Sequence, residues 1–169
     1  MIFKIKKGKH SSSGFKFGFT FKKSIKFSVE FLKNSLYKFP QHYSDRLDVN
    51  KVFGFSTSFY HHYQSARLGW RCLDGENIQL FPYCYVNWKL QLEYLKEPLL
   101  EVKPNDNIIC EISDTGESYS FKIQNITRNI TKIIKIEKKK DWFMFHYFLY
   151  PYFGGNLVAP NTMEIKISK

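Results

Sequence analysis

Residues 65–85, SARLGWRCLDGENIQLFPYCY, decide the fold because two runs of alternating apolar residues flank a single turn signal. Asp74 and Gly75 suit a three-residue hairpin loop in which Gly75 adopts the left-handed conformation and forms a bulge. That loop pairs Trp70 with Ile78 and keeps apolar side chains opposite apolar ones, which is what fixes the register of a half-buried hairpin. The stretch therefore predicts two antiparallel strands with one apolar and one polar face.

The polar face of this hairpin combines planar hydrogen-bond donors with aromatic rings. Guanidinium and carboxamide groups make paired hydrogen bonds to carboxylates or sugar hydroxyls, and rings stack on apolar sugar faces or on bases. The alternative is an ordinary solvated sheet face, where stacking between arginine and tyrosine only adds to sheet stability. We predict a ligand-binding face, with two residues from neighbouring segments added: Arg67, Arg71, Gln79, Phe81, Tyr83, Tyr85, His62 and Tyr152.

The rest of the chain repeats the strand pattern and lacks helical periodicity. Short β-branched or aromatic runs alternate with turn signals at 1–6, 15–21, 24–32, 51–58, 64–73, 77–88, 90–95, 107–113, 118–125, 130–137, 142–150 and 162–168. In the second run four phenylalanines, at 15, 17, 19 and 21, alternate with other residues, which predicts one face toward the core. About a dozen short strands predict an all-β fold, an antiparallel two-sheet sandwich or a closed barrel, in one domain over 1–169.

The net charge of +11 favours an anionic or neutral partner over a cationic one. Of the 26 basic residues 22 are lysines, and such a skew also arises from the codon bias of an AT-rich genome. Two interpretations stay open at this point. The lysine-rich segments 4–9, 16–26 and 132–140 bind nucleic acid, or the lysine excess reflects nucleotide composition alone.

Cysteine and histidine spacing argues against a metal or cofactor. Cys72, Cys84 and Cys110 are an odd number without a Cys-x-x-Cys pair, which predicts reduced, buried thiols. His61 and His62 precede the hairpin, and adjacent residues on a strand point to opposite faces, so we expect no shared ion. We predict no metal and no cofactor.

The start of the chain places lysines inside what would have to be the apolar core of a secretory signal. No run reaches 18 apolar residues, so we expect no membrane-spanning helix and no membrane partner. These two observations favour a cytoplasmic location.

The C-terminal stretch 151–167, PYFGGNLVAPNTMEIKI, resembles the closing segment of concanavalin-like jelly rolls, and the likeness implies a jelly-roll sandwich. Segment 50–56, the Arg67 hairpin and segment 151–160 together resemble a group of uncharacterised bacterial β-rich proteins, a likeness that implies no known activity. The order Arg67, Gln79 and Tyr152 is similar to that on the concave sheet of jelly-roll polysaccharide lyases. In those proteins a histidine follows the glutamine, a glutamate follows the arginine and a lysine follows the Tyr-Phe pair. This chain lacks all three, so the resemblance implies a saccharide-facing sheet but no catalysis.

Three functions follow from these patterns. The first is a non-enzymatic module that presents the Arg67 hairpin to a glycan-like ligand. The second is a basic β protein that binds nucleic acid. The third is a lyase or hydrolase on the same surface, with His62, Tyr83 or Tyr152 as acid or base. The sequence places no paired carboxylates for catalysis, so we predict a binding protein rather than an enzyme. The sequence predicts no oligomeric state.

Overall fold

A computed structural model describes residues 1–14, 16–140 and 145–169 of the 169-residue chain. Within these residues lie three short 3-10 helices, Lys33–Ser35, Ser44–Leu47 and Leu92–Leu95, and thirteen strands. The strands are β1 (Ile2–Ile5), β2 (Phe19–Thr20), β3 (Ser24–Phe31), β4 (Asn50–Ser56), β5 (Gln64–Arg71), β6 (Ile78–Val86), β7 (Lys89–Leu90), β8 (Leu100–Val102), β9 (Ile108–Asp114), β10 (Ser118–Asn125), β11 (Ile130–Glu137), β12 (His146–Leu149) and β13 (Met163–Ser168).

Two antiparallel sheets form a sandwich of jelly-roll type, which confirms the predicted fold class. The six-stranded sheet has the order β1-β13-β3-β9-β10-β11, and the seven-stranded sheet has the order β2-β12-β4-β5-β6-β7 with β8 also paired to β6. None of the helices in the described parts of the chain combines the length and the apolar character needed to cross a membrane.

The core fills the space between the two sheets with alternating inward residues from both. The ring of Phe27 on the first sheet meets that of Phe53 on the second at a centroid distance of 5.0 Å. Phe31 and Trp70 make a similar contact at 5.2 Å. All three cysteines are free and buried, as the sequence predicts.

The hairpin of β5 and β6 has the predicted faces but a different register. Trp70 pairs with Leu80 instead of Ile78, and residues 72–77 form the loop. The carboxylate of Asp74 accepts hydrogen bonds of 2.8 Å from the backbone amides at 76 and 77, which closes a wider turn than the predicted one. Gly75 is left-handed, with φ +83°, as predicted. Because the shift is two residues, every side chain stays on its predicted face.

The predicted strand at 15–21 is wrong in extent and in burial. Only Phe19–Thr20 forms a strand, at the edge of the seven-stranded sheet, and Phe15 lies outside the described residues. Phe17 and Phe21 are 72% and 70% exposed, because the segment turns the face that carries Gly18, not the face that carries these phenylalanines, toward the protein. There a Cβ added at Gly18 would lie 2.7 Å from the ring of Phe148, so only glycine fits.

Two further differences concern short segments. The predicted strand at 90–95 is mostly the 3-10 helix Leu92–Leu95, and β8 at Leu100–Val102 was not predicted. Of the predicted strand at 142–150, residues 142–144 lie outside the described residues and β12 covers His146–Leu149.

Candidate functional site

A groove of 1140 Å³ runs over the outer face of the seven-stranded sheet. The strands β4, β5 and β6 form its floor, and the segments at 47–49, 61–62, 90–96 and 149–155 form its walls. Six of the eight predicted site residues line it: Arg67, Arg71, Tyr83, Tyr85, His62 and Tyr152. The other two, Gln79 and Phe81, do not.

Two-residue alternation along β5 and β6 brings the floor residues to one side. Arg67 pairs across the ladder with Tyr83, and Arg71 pairs with Gln79. The alternate residues Leu68 and Trp70 face the core. Gly69 separates the two arginines, and a Cβ there would lie 2.6 Å from a methyl group of Val49. A residue without a side chain is therefore needed at this point of the floor.

Arg67 lies at the bottom of the groove and is only 7% exposed. One guanidinium nitrogen, Nη2, donates a 2.5 Å hydrogen bond to the carbonyl of Tyr150. The Nε atom is buried without a hydrogen-bond partner among the described residues. Burial lowers the pKa of Arg67 to about 10, so the side chain is still a cation at neutral pH.

Lys51 is a second cation on this floor, and the sequence analysis did not select it. Its Nζ lies 4.5 Å from the centre of the Tyr83 ring and 5.9 Å from that of Tyr152. Burial, together with the charge of Arg67, lowers the pKa of Lys51 to about 8, while the charge of Asp48 acts in the opposite direction. Two cations thus share one partly desolvated site.

A β-bulge explains why Lys51 reaches the groove. Lys51 pairs with Gly69, but Gly54 pairs with Arg67, so one extra residue stands between the two pairs. Val52 and Phe53 consequently both face the core. Two adjacent apolar residues followed by a glycine break the alternation, and that break is the sequence signal that would have located the bulge.

His61 and His62 lie in a turn, where the amide at 63 donates to the carbonyl at 60, and both line the groove. Their ring centroids are 4.1 Å apart, so the expectation of opposite faces on a strand was wrong. Burial and the neighbouring His62 lower the pKa of His61 to about 4, which leaves it neutral at pH 7. The ring of His62 meets Tyr85 edge to face at 4.8 Å.

Tyr152 lies between β12 and β13, outside both strands, and the backbone of β4 holds it in place. It exchanges two backbone hydrogen bonds with Lys51, of 2.8 and 3.0 Å, and its ring stacks on His10 at 5.4 Å. The residue stays accessible, with 39% of its surface exposed. A ligand in the groove can therefore stack on this ring.

Gln79 and Phe81 support the groove without lining it. Gln79 accepts a 2.8 Å hydrogen bond from Nε of Arg71 and donates one of 2.8 Å to Glu101. Phe81 is fully buried beneath the Arg71 guanidinium, 4.6 Å from the ring centre, where it packs against Leu95. Phe81 does not line the groove because the 3-10 helix at 92–95 packs over it, and its contact with a ligand stays a prediction.

The charge balance of the groove is strongly positive. Among the described residues that line it, Asp48 is the one acidic side chain, whereas five are basic: Lys16, Lys51, Arg67, Arg71 and Lys96. Burial, and then the neighbouring Asp45, raise the pKa of Asp48 above its ordinary value. In the described chain, no three His, Cys, Asp or Glu side chains gather into a metal-ligand set.

The arrangement can hold a ring-bearing ligand with negative charge. Tyr83, Tyr85 and Tyr152 offer aromatic surface, and Arg67 and Lys51 offer hydrogen-bond donors at the floor. Cations and aromatic rings at one surface suit saccharides and nucleotides alike.

No family model and no curated protein matches this chain. Among solved structures, an alginate lyase from Klebsiella pneumoniae is similar, with a TM-score of 0.54 and 8% identity over 86% of this chain and 59% of that one. Scytalido-glutamic peptidase gives a TM-score of 0.52 at 7% identity, over 99% of this chain and 78% of that one. The CBM2 module of the evolved Dit of Lactobacillus casei BL23 phage J-1 gives a TM-score of 0.41 at 12% identity, over 84% of this chain and 58% of that one. The likeness to the first two establishes a jelly-roll-like β-sandwich, and the finer concanavalin-like assignment stays a prediction.

Proposed function

We propose that this protein is a binding module and that the groove on the seven-stranded sheet takes a glycan chain. One observation carries the proposal: in the ladder Tyr152 bridges to Lys51 on the outer side of β4, Tyr85 lies on β6, and Arg67 lies on β5 between those two strands. Sugar rings stack on tyrosine faces while their substituents take hydrogen bonds from the floor. The fold shared with an alginate lyase, a protein named for a polysaccharide, supports this ligand class by analogy only.

Binding to immobilised and soluble polysaccharides tests the proposal, with Tyr85→Ala and Tyr152→Ala as variants. We expect each variant to lose about tenfold in affinity, because one stacked ring contributes about 1–2 kcal/mol. Phe21→Ala is the matched control, since it removes an exposed ring away from the groove. Equal binding by all four proteins, or binding by none, contradicts the proposal.

A lyase or hydrolase activity in the same groove is the second candidate, favoured by two ionisable side chains, His61 and Lys51, that line it together. A neutral imidazole can accept a proton, and Lys51 lies on the same floor with a pKa of about 8. Elimination from a uronate creates a conjugated double bond, so absorbance in the ultraviolet detects it. We expect His61→Ala to abolish any such signal, and the absence of a signal from the unaltered protein rejects this candidate.

Nucleic-acid binding through the lysine-rich segments stays an untested prediction, and the described contacts give it no added support. Lys4 pairs with Glu164 at 2.8 Å, and Lys138 is buried against Asp114 at 3.2 Å. Affinity for single-stranded nucleic acid that does not change between low and physiological salt would reject it, because phosphate contacts release counterions.

A further inference from the structure

The floor of the groove holds two cations that the described protein leaves without an anionic contact. Arg67 hydrogen-bonds to one carbonyl, that of Tyr150, and its Nε has no partner. Lys51 makes no ion pair within 4 Å in the described parts of the chain, and its Nζ lies against the Tyr83 ring.

Such a pair of cations lowers the stability of the folded protein. Burying a cation without a partner forfeits its hydration, and two neighbouring cations also repel one another. Asp48 is the one acidic group whose charge favours protonated Lys51, and it acts against the larger effects of burial and Arg67. An anion between the two cations removes both penalties at once.

From these contacts we infer that the ligand is a glycan of uronic acid residues and that one of its carboxylates binds between Lys51 and Arg67. This inference rests on the proposed function, because the sugar rings of such a chain stack on the flanking tyrosines. The carboxylate accepts from the guanidinium of Arg67 and from the ammonium of Lys51, both of which line the groove. The five basic side chains along the groove suit a repeating anionic polymer rather than a single charged group.

The inference also predicts the pH dependence of binding. The charged or titratable groups around Lys51 are Arg67 on β5, Tyr83 on β6, Asp48 and His61 on the walls, and Tyr152 opposite. Without a ligand Lys51 loses its proton near pH 8. A carboxylate bound beside it favours the ammonium form, so Lys51 then stays protonated to higher pH. Affinity for a uronate therefore falls as the pH rises through 8.

The test compares each ligand with its own uncharged counterpart. Oligogalacturonate and oligomannuronate are titrated into the protein by calorimetry, alongside the same oligosaccharides after chemical reduction of their carboxyl groups. We expect at least one uronate to bind about tenfold more tightly than its reduced form at pH 6.5, and less so at pH 9.

Variants locate the contact. Lys51→Met and Arg67→Gln should each erase most of the preference for the carboxylate, and Lys51→Met should also erase the pH dependence. Lys132→Met is the matched control, because Lys132 is an exposed lysine on β11 of the other sheet. Thermal unfolding of each variant identifies any that fails to fold. If Arg67→Gln fails to fold, Lys51→Met, which keeps a side chain of similar length, still tests the contact.

The outcomes separate the two proposals. If the reduced oligosaccharides bind as tightly as the acids, the carboxylate inference is wrong while glycan binding stands. If the acids bind more tightly but Lys51→Met behaves like Lys132→Met, the inferred position is wrong. If no oligosaccharide binds, the proposed function fails and the inference fails with it.

Discussion

Lys51 shows at the scale of one residue how a binding surface conflicts with stability. Its ammonium lies over an aromatic ring and near a second cation, and its pKa of about 8 measures how strongly the fold disfavours the charge. A methionine has nearly the same length and fills the same space without the charge. Such positions are where proteins sacrifice stability for function.

Lys51→Met is therefore expected to stabilise the unliganded protein at pH 7 by about 1–3 kcal/mol, since each unit of pKa difference is worth about 1.4 kcal/mol. The folded pKa lies below the unfolded value, so between about pH 8 and 10.5 the unfolded chain binds more protons and the original protein gains stability as pH rises. The advantage of the variant should shrink over that range. Urea unfolding of both proteins at pH 7, 8.5 and 10 measures it, and a difference that is independent of pH contradicts the assignment.

The bulged strand β4 decides the shape of the site at the scale of elements. By placing one extra residue between the Lys51 and Gly54 pairs, it turns Lys51 to the groove and brings Gly54 against β5. A Cβ at Gly54 would lie 2.1 Å from the carbonyl oxygen of Ala66, which is backbone and has little room to move. The approach of the two strands depends on this glycine.

Gly54→Ala is expected to cost more than about 3 kcal/mol of unfolding free energy, because a backbone clash forces the strands apart. Gly116→Ala is the control. Gly116 has φ +92° but open space around its Cβ, so it should cost only the conformational penalty of about 1 kcal/mol. Chemical denaturation compares the two, and equal costs would show that the strands do not approach so closely.

The edge segment around β2 exposes rings that pack mainly on one another. The ring centroids of Phe17 and Phe19 are 6.2 Å apart, and those of Phe19 and Phe21 are 5.7 Å apart. Large exposed apolar groups beside an edge strand favour association of chains.

The double variant Phe17→Ser and Phe21→Ser should therefore be more soluble, with a free energy of unfolding within about 1 kcal/mol of the original. Light scattering against protein concentration gives the first quantity and denaturation gives the second. A loss of several kcal/mol would mean that these rings belong to the core.

The accuracy of the sequence predictions followed the strength of the local physical signal. Strand positions such as Ser118–Asn125 were predicted well, because two-residue alternation of buried side chains is a strong signal. The hairpin register was wrong by two residues because the Asp74 carboxylate stabilises a wider turn, an effect that residue types alone do not specify. A shift of two residues leaves each side chain on the same face of the sheet, so the prediction that Arg67 and Tyr83 share one face was correct. Lys51 was missed because one bulge reverses its direction, and the sequence did not show that the 3-10 helix at 92–95 keeps Phe81 out of the groove lining.

At the scale of the whole molecule, a buried charged cluster links the two sheets at one end. Asp114, at the end of β9, pairs with Lys138 at 3.2 Å and with His146 of β12 at 3.4 Å. Burial alone would raise the pKa of Asp114, but hydrogen bonds from His146, the amide of Gly116 and Lys138 hold it below its ordinary value. The carboxylate thus connects strands of both sheets.

Asp114→Asn is expected to destabilise the protein by about 2–4 kcal/mol at pH 7, because it removes a buried negative charge that pairs with both Lys138 and His146. Since the folded pKa is below the unfolded value of about 3.9, this stabilisation is present above that value and is lost as the pH falls through the folded pKa. Glu30→Gln is the control, because Glu30 pairs with Lys166 at a similar 3.2 Å on the surface and should change stability by less than about 1 kcal/mol. Denaturation at pH 7 and pH 3 tests both, and equal effects would contradict a role for burial.

The enclosed cysteines give the sandwich two internal reporters. Cys110 sits on β9 in one sheet and Cys84 on β6 in the other, and burial raises the pKa of both thiols. Neither sulfur can attack an alkylating reagent until its layer separates, so single-cysteine versions of the chain convert modification rates into opening rates. If the two sheets unfold in a single step, Cys84 and Cys110 are modified at the same rate. If one sheet unfolds before the other, the cysteine of that sheet is modified first.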